Sequence, residues 1–341
     1  MKSFLFLILV ISTILLVPTC VLGSDNDSTG QASDKLIANE GDAQSAKLMT
    51  SAFGTKIYYS VKADTRNCPA PACGGFFLKR INLDDSDEEL YVSEIYVTNQ
   101  NINISMITNL KYLEGGQDNK IIISGQLKPS RTNGASFECL HLTDILHQME
   151  LPESGFASPK FQFKPKKTFY AIKASPFICN KMVTNCPNIV SYKINTDEMS
   201  FISSYTEDYS LRVPFIHKEW LVSRIFNEDD NTSSIVKGII LEGKLIISKI
   251  YVSIVDPVAP CPEIQANCLS QYGLVPSFYR NTDRCPVFDQ CVGRGPCHLG
   301  VPSCPNGYHL YSLPSRNKGC PHYWCDPDFL QNPSNHMIFF K

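Results

Sequence analysis

The chain reads as mainly β: two similar small antiparallel β domains in tandem, followed by a small disulfide-rich module. Three observations predict this. First, Lys56-Ile57-Tyr58-Tyr59-Ser60-Val61-Lys62-Ala63 is echoed by Lys167-Thr168-Phe169-Tyr170-Ala171-Ile172-Lys173-Ala174. A cysteine pair follows each copy, then a stretch ending in Ile81-Asn82 or Ile194-Asn195. Second, apolar residues in both copies alternate with polar ones at a period of two, as half-buried strands require. Third, beyond Asp256-Pro257 the apolar runs shorten and eight cysteines crowd between Cys261 and Cys325. A repeat this long marks paired domains rather than a solenoid, whose units are shorter.

Taken in order, residues 1–23 read as a secretory signal peptide. Met1-Lys2 supplies the charge, Phe4 to Val17 the apolar core, and Val21-Leu22-Gly23 the small-residue cleavage pattern. The run falls short of the roughly 20 apolar residues of a membrane span, so no stable membrane insertion is expected after cleavage. The expected location is extracellular, or a lumen of the secretory or endolysosomal route. Sequons at Asn26, Asn103 and Asn231 then become glycosylation acceptors, while Asn332-Pro333-Ser334 is excluded by its proline. Residues 24–50 carry few large apolar side chains and cannot offset their ordering entropy, which makes them a flexible polar segment.

Copy one spans 51–150. Ile57, Tyr59 and Val61 alternate with Tyr58, Ser60 and Lys62, and the pattern returns from Leu90 to Val97. Ile121-Ile122-Ile123-Ser124-Gly125 reads as a buried strand with a bulge or close backbone approach at the glycine. Leu140 to Met149 is the best helix candidate. Pro152 to Pro159 is a turn-rich connector. Copy two spans 163–257, with strands expected at 183–194, 199–205, 235–241 and 245–254. Gly238 stands where copy one has Gly125.

The module, 258–341, holds Cys261, Cys268, Cys285, Cys291, Cys297, Cys304, Cys320 and Cys325. An even set in an oxidising compartment reads as a four-disulfide framework of open connectivity. Zinc is the rival, since Cys297-His298 and Cys320-Pro321-His322 pair thiols with imidazoles. The tight two-residue spacing of zinc knuckles is missing, so no metal is assigned. Cys68 with Cys73 and Cys179 with Cys186 read as local bridges, each contributing about 2 kcal/mol. Cys20 departs with the signal peptide, which leaves Cys139 unpaired, either intermolecular or free. On a helix, His141, Asp144 and His147 would share a face near it, offering a thiol–imidazole pair or a metal site. The plainer reading is a buried cysteine.

Lysine and arginine number 31 against 33 acids, a net charge of −2, so no nucleic-acid footprint appears. No nucleophile elbow, zinc-protease motif, phosphate loop or dinucleotide fingerprint is present, so no catalytic residue and no cofactor are assigned. The acidic runs Asp84 to Glu89 and Asn227 to Asn231 lack the spacing of a calcium loop and read as solvated turns.

Cys68-Pro69-Ala70-Pro71-Ala72-Cys73-Gly74-Gly75 resembles the C-P-x-P-x-C-G-G signature of an uncharacterised domain family found in secreted proteins of bacteria and social amoebae. The resemblance covers about residues 51 to 150 and implies no established activity. Copy two departs from it, with Cys186-Pro187-Asn188 in place of the Cys-Gly-Gly step. Cys304-Pro305-Asn306-Gly307-Tyr308 and Gly319-Cys320 to Cys325 are similar to the cadence of antistasin-like inhibitor modules, with a longer gap and no closing Cys-x-Cys. Three function classes follow. The first is a secreted, non-enzymatic protein binding a glycan, matrix or protein partner, with a candidate loop at Gly74 and Gly75. The second is a protease inhibitor with Arg294 as bait, and the third a hydrolase with an unrecognised site.

Overall fold

The computed structural model describes residues 56–83, 89–102, 120–132, 135–153, 166–175, 186–227, 234–298, 300–315, 317–330 and 337–338. The protein is mainly β. Copy one contributes β1 (Ile57–Ala63), β2 (Phe76–Arg80), β3 (Leu90–Val92), β4 (Glu94–Val97), β5 (Ile121–Thr132) and β6 (Ala135–Gln148). Copy two contributes β7 (Thr168–Ala174), β8 (Ile189–Lys193), β9 (Met199–Ile202), β10 (Ser204–Thr206), helices α1 (Tyr209–Arg212) and α2 (Lys218–Ile225), β11 (Ser234–Leu241) and β12 (Lys244–Ser253).

These strands form one sheet ordered β3-β2-β1-β5-β6-β12-β11-β7-β8-β9, a palindrome in which copy two repeats copy one in reverse. The halves meet where β6 pairs antiparallel with β12, His147 lying opposite Val252. Each half also curls on itself. Ser93 alone separates β3 from β4, and β4 turns to pair parallel with β6. Likewise β10 pairs parallel with β12. The curl encloses a core in each copy: Tyr59, Val61, Leu78, Ile123 and Leu142 in one, Ile172, Ile202, Trp220, Val236 and Ile247 in the other.

A bulge at the same place in both copies shapes these cores. Register slips between Ser124 and Gly125 in β5 and between Lys237 and Gly238 in β11. A Cβ on Gly125 would stand 2.4 Å from the His141 carbonyl oxygen, and one on Gly238 2.4 Å from that of Ile246. Only glycine lets the backbones approach so closely.

The bulge also explains one departure from expectation. Residues 140–149 form most of β6 rather than a helix. Leu140, Leu142 and Ile145 all face the copy-one core, because the extra residue resets the two-residue alternation midway. A strand with such a phase jump imitates the mixed spacing of a short helix.

The module is built from hairpins. It comprises β13 (Ile264–Gln265), β14 (Leu274–Arg280), β15 (Pro286–Gly293), β16 (Tyr308–Pro314), β17 (Pro321–Pro327) and β18 (Met337–Ile338). Strands β14 and β15 form one hairpin, β16 and β17 another. Cys261–Cys285 and Cys268–Cys291 brace the first, and Cys297–Cys320 and Cys304–Cys325 the second. The pattern, first to third and second to fourth, is thus used twice.

Charges buried in the interface fasten the module to copy two. Arg284, which with Arg280 reaches the buried Asp326 carboxylate inside the module, also donates to the Asp256 carbonyl of copy two, and Arg224 of α2 holds both Asp256 at 2.8 Å and Asp283 of the module at 2.9 Å. Trp220 donates its indole N–H to Asp256 at 2.8 Å. Removing one member of such a network leaves a buried charge uncompensated, so the contact is held tightly in one geometry.

Candidate functional site

The two copies are clasped by a pair of asparagines in equivalent turns. Asn82 follows β2 and Asn195 follows β8, with φ of 66° and 62°, a left-handed conformation that asparagine tolerates well. The Asn82 amide donates to the carbonyls of Phe169 (2.7 Å) and Ile194 (2.9 Å) and accepts the Phe169 N–H (2.8 Å). Asn195 reciprocates: it donates to Tyr58 (2.7 Å) and Ile81 (3.0 Å) and accepts the Tyr58 N–H (2.9 Å). Around the clasp pack Tyr58, Ile81, Ile122, Ile194, Ile235 and Tyr251, which belong to neither interior core.

On the Asn82 side of this joint opens a groove of 880 Å³. Ile81, Ile122 and Tyr251 give it an apolar floor. Its walls are cationic. Copy one supplies Lys62, Lys79 and Arg80, and copy two supplies Lys166, Lys167, Lys193, Lys237 and Lys249. Glu89 is the one carboxylate among the described lining residues, 3.9 Å from the Lys62 ammonium. Lys193 is drawn to Glu198 at 2.7 Å.

Strand register arranges part of this charge in a row. Lys249 lies directly opposite Lys237, and Lys237 directly opposite Phe169, across β12, β11 and β7. The Lys237 ammonium stands 4.7 Å from the centre of the Phe169 ring. The row sets two ammonium groups side by side on one wall of the cleft. Clefts lined with one sign of charge focus their field and concentrate counter-ions.

The residues nominated from sequence lie elsewhere. Cys68 and Cys73 are bridged, and the loop they close is braced internally. Arg66 holds Asp64 at 2.9 Å and lies over the rings of Phe77 and Tyr91 at 5.0 and 5.1 Å. Its hydrogen bonds hold the Asp64 carboxyl below the usual carboxylate range. The Gly74 N–H donates to Asp64 at 3.1 Å, and a Cβ on Gly75 would meet the Val92 carbonyl oxygen at 2.1 Å. Both glycines therefore have local reasons to be there, and neither lines the groove.

The Cys139 thiol is buried, 3.8 Å from the Ser93 hydroxyl in the β4–β6 seam. The three residues after it do not share a helical face. His141 packs on Tyr96, His147 stacks on Phe329 at 4.4 Å, and Asp144 accepts a hydrogen bond from Ser253 at 2.8 Å. Burial pushes Asp144 up to about 6. Arg294 is exposed beside the end of β15. Cys186 is disulfide-bonded, while Cys179, Asn26, Asn103, Asn231, the signal-like residues 1–23 and the acidic stretches 84–88 and 228–231 lie outside the described residues.

Sequence reasoning missed the groove because its cations are scattered from Lys62 to Lys249 and each looks like the polar face of a strand. One signal was available: Lys237 interrupts the apolar run Ile235-Val236-Lys237-Gly238 where copy one has Ser124.

Fold and groove together define a duplicated, disulfide-braced β protein with a cationic cleft at its joint. Residues 57–210 match the family model of a domain of unknown function (DUF6748), a span that runs through copy one and into copy two as far as α1. Lys237 and Lys249 lie beyond it. The chain is also similar to an uncharacterised protein of Dictyostelium discoideum, 26% identical over 284 residues, which cover 82% of this chain and 90% of that protein. No solved structure matches. Among the described residues, no helix is long and apolar enough to cross a membrane.

Proposed function

We propose that the protein is a secreted, non-enzymatic binding protein that holds an acidic extracellular glycan in the groove between its two copies. One observation carries the reading: eight cationic side chains converge on one cavity in a chain whose net charge is only −2. Several features support the setting. Disulfides persist in oxidising compartments, and the described residues hold five. The signal-like start and the sequons at Asn26, Asn103 and Asn231 fit an extracellular glycoprotein. Ser60 and Thr168, among the lining residues, supply hydroxyls for sugar contacts.

The test is titration of the full secreted chain with acidic and neutral oligosaccharides of equal length at low and high salt. Acidic chains are expected to bind and to weaken by about tenfold or more as salt rises, since each neutralised charge releases counterions. Equal affinity for neutral chains, or no binding of any acidic chain, sinks the reading.

Protease inhibition is a second reading, favoured by the exposed Arg294 between the Cys268–Cys291 and Cys297–Cys320 bridges. Such bridges preorganise a loop. Inhibition of a trypsin-like protease that disappears on Arg294→Ala supports it, and no inhibition by the intact chain excludes it.

A further inference from the structure

We infer that His217 is an acid-sensitive latch on the seam between copy two and the disulfide module: neutral, it lets the seam close, and protonated, it drives the seam open. The inference is independent of the groove reading, since neither His217 nor any residue of the module lines that cavity.

Geometry carries it. His217 is buried at the N-cap of α2, inside the seam. Two residues earlier, the Phe215 carbonyl accepts the Cys325 N–H of β17 at 3.0 Å, which ties the backbone holding the ring directly to the module. The imidazole meets the Trp324 ring of β17 at 6.2 Å, the outer limit of cation–π attraction. Among the described residues its Nδ1 has no hydrogen-bond partner, and the Glu219 carboxylate, 75% exposed, stands 3.6 Å from Nε2. A neutral ring leaves one polar atom unsatisfied in this space. An imidazolium brings a full charge and two N–H donors, and the one on Nδ1 finds no acceptor. Burying a charge without its hydrogen bonds is far costlier than burying a neutral polar atom.

The charges around the ring act mostly in the same direction. Burial, reinforced by Arg280 at the end of β14 and Arg284 in the turn after it, lowers His217 to about 4, and the positive N-terminal end of α2 also disfavours a cation. Glu219 and Asp326 oppose this. Asp326, however, is already held by both arginines, and Glu219 is screened by water. Lys218 beside the ring is exposed, and His322 stacks on the same Trp324 ring at 4.4 Å while only half-buried.

Opening the seam lets Nδ1 meet water and returns the imidazole to its ordinary affinity for protons. The closed form is therefore favoured above about pH 6.5 and loses ground as pH falls toward 4, the range of an acidified lumen. The opening is local. Tyr308 and Leu330 of the module are buried in the copy-two core and tie the module down beyond the seam.

The experiment is hydrogen exchange of the full secreted chain at pH 7.5, 6 and 5, each rate corrected for intrinsic exchange at that pH. Peptides covering 214–222 and 322–327 are expected to lose protection by about tenfold or more between pH 7.5 and 5, while those of β12 keep theirs. His217→Gln, neutral throughout, should abolish the loss, and His322→Gln should respond as wild type does. Should His217→Gln fail to fold, acrylamide quenching of wild-type fluorescence gives the same answer, because the chain's two tryptophans, Trp220 and Trp324, both lie at this seam. Quenching is expected to rise between about pH 6.5 and 5, above the range in which carboxylates titrate. Unchanged protection or quenching down to pH 5 overturns the latch. So does a loss that spreads to β12, that survives in His217→Gln, or that disappears in His322→Gln.

Discussion

Copy one and copy two place different chemistry on the same row of the same fold. Across β6, β5 and β1 the row reads Asp144, Ser124, Tyr58, and across β12, β11 and β7 it reads Lys249, Lys237, Phe169. The bulge glycines, the clasping asparagines and the curl of the sheet are shared. What the difference teaches is where selection of residue type by the fold ends. Packing and backbone geometry demand Gly125 with Gly238 and Asn82 with Asn195, whereas the opposed lysines of copy two have no counterpart in copy one.

Gly125→Ala and Gly238→Ala test the shared part most harshly. Each puts a Cβ within 2.4 Å of a carbonyl oxygen, and each is expected to destabilise by about 4 kcal/mol or more in urea unfolding. A large difference between the two would break the equivalence of the copies. Next come Asn82→Ala and Asn195→Ala. Each deletes three hydrogen bonds to the other copy and leaves alanine at positive φ, a loss of about 3 kcal/mol. Near-equal losses sharpen the picture of a reciprocal clasp, and an effect at one site alone contradicts it.

Acid should pull the copies in opposite directions. His217, at the junction of copy two and the module, is buried near Trp324, and its Nδ1 has no hydrogen-bond partner. Burial, reinforced by Arg280 and Arg284 and opposed by Glu219 and Asp326, lowers it to about 4. With the folded value below the unfolded one, its stabilising contribution is present above about pH 6.5 and is lost as pH falls through 4, amounting to about 3 kcal/mol. His217→Gln should flatten that part of the stability profile. Asp144 in copy one has the reverse sign. Its folded value of about 6 exceeds the usual 3.8, so its contribution is full below 3.8 and lost as pH rises through 6. Asp144→Asn should therefore stabilise the protein at pH 7.5 by about 1–3 kcal/mol, the range reflecting the side chain's partial contact with water, and have little effect at pH 3.5. Unfolding midpoints of wild type and both variants across that range measure the contrast.

Much of the fold was legible in the sequence, because period-two alternation and the duplicated block report backbone geometry directly. Mainly β structure and a disulfide-rich end follow from local pattern. Residues 140–149 resisted because the bulge opposite Gly125 shifts the phase of β6, which a single-strand pattern cannot display. The groove was not legible, since Lys62, Arg80, Lys167 and Lys249 become neighbours only once the palindromic sheet is assembled. Aligning the copies on their bulge glycines would have exposed Lys237 against Ser124. It would not have exposed the row, which needs strand register.

The central claim is that the cationic joint, and not another face, holds the acidic ligand. Lysine footprinting measures this most directly: the full chain is acetylated with and without saturating heparin oligosaccharide, and each site is quantified by peptide mass spectrometry. Protection is expected at Lys79, Lys166, Lys167, Lys237 and Lys249, with Lys120 and Lys244 reacting as before. Protection centred on Lys120 and Lys244, or spread evenly over all lysines, would contradict the account.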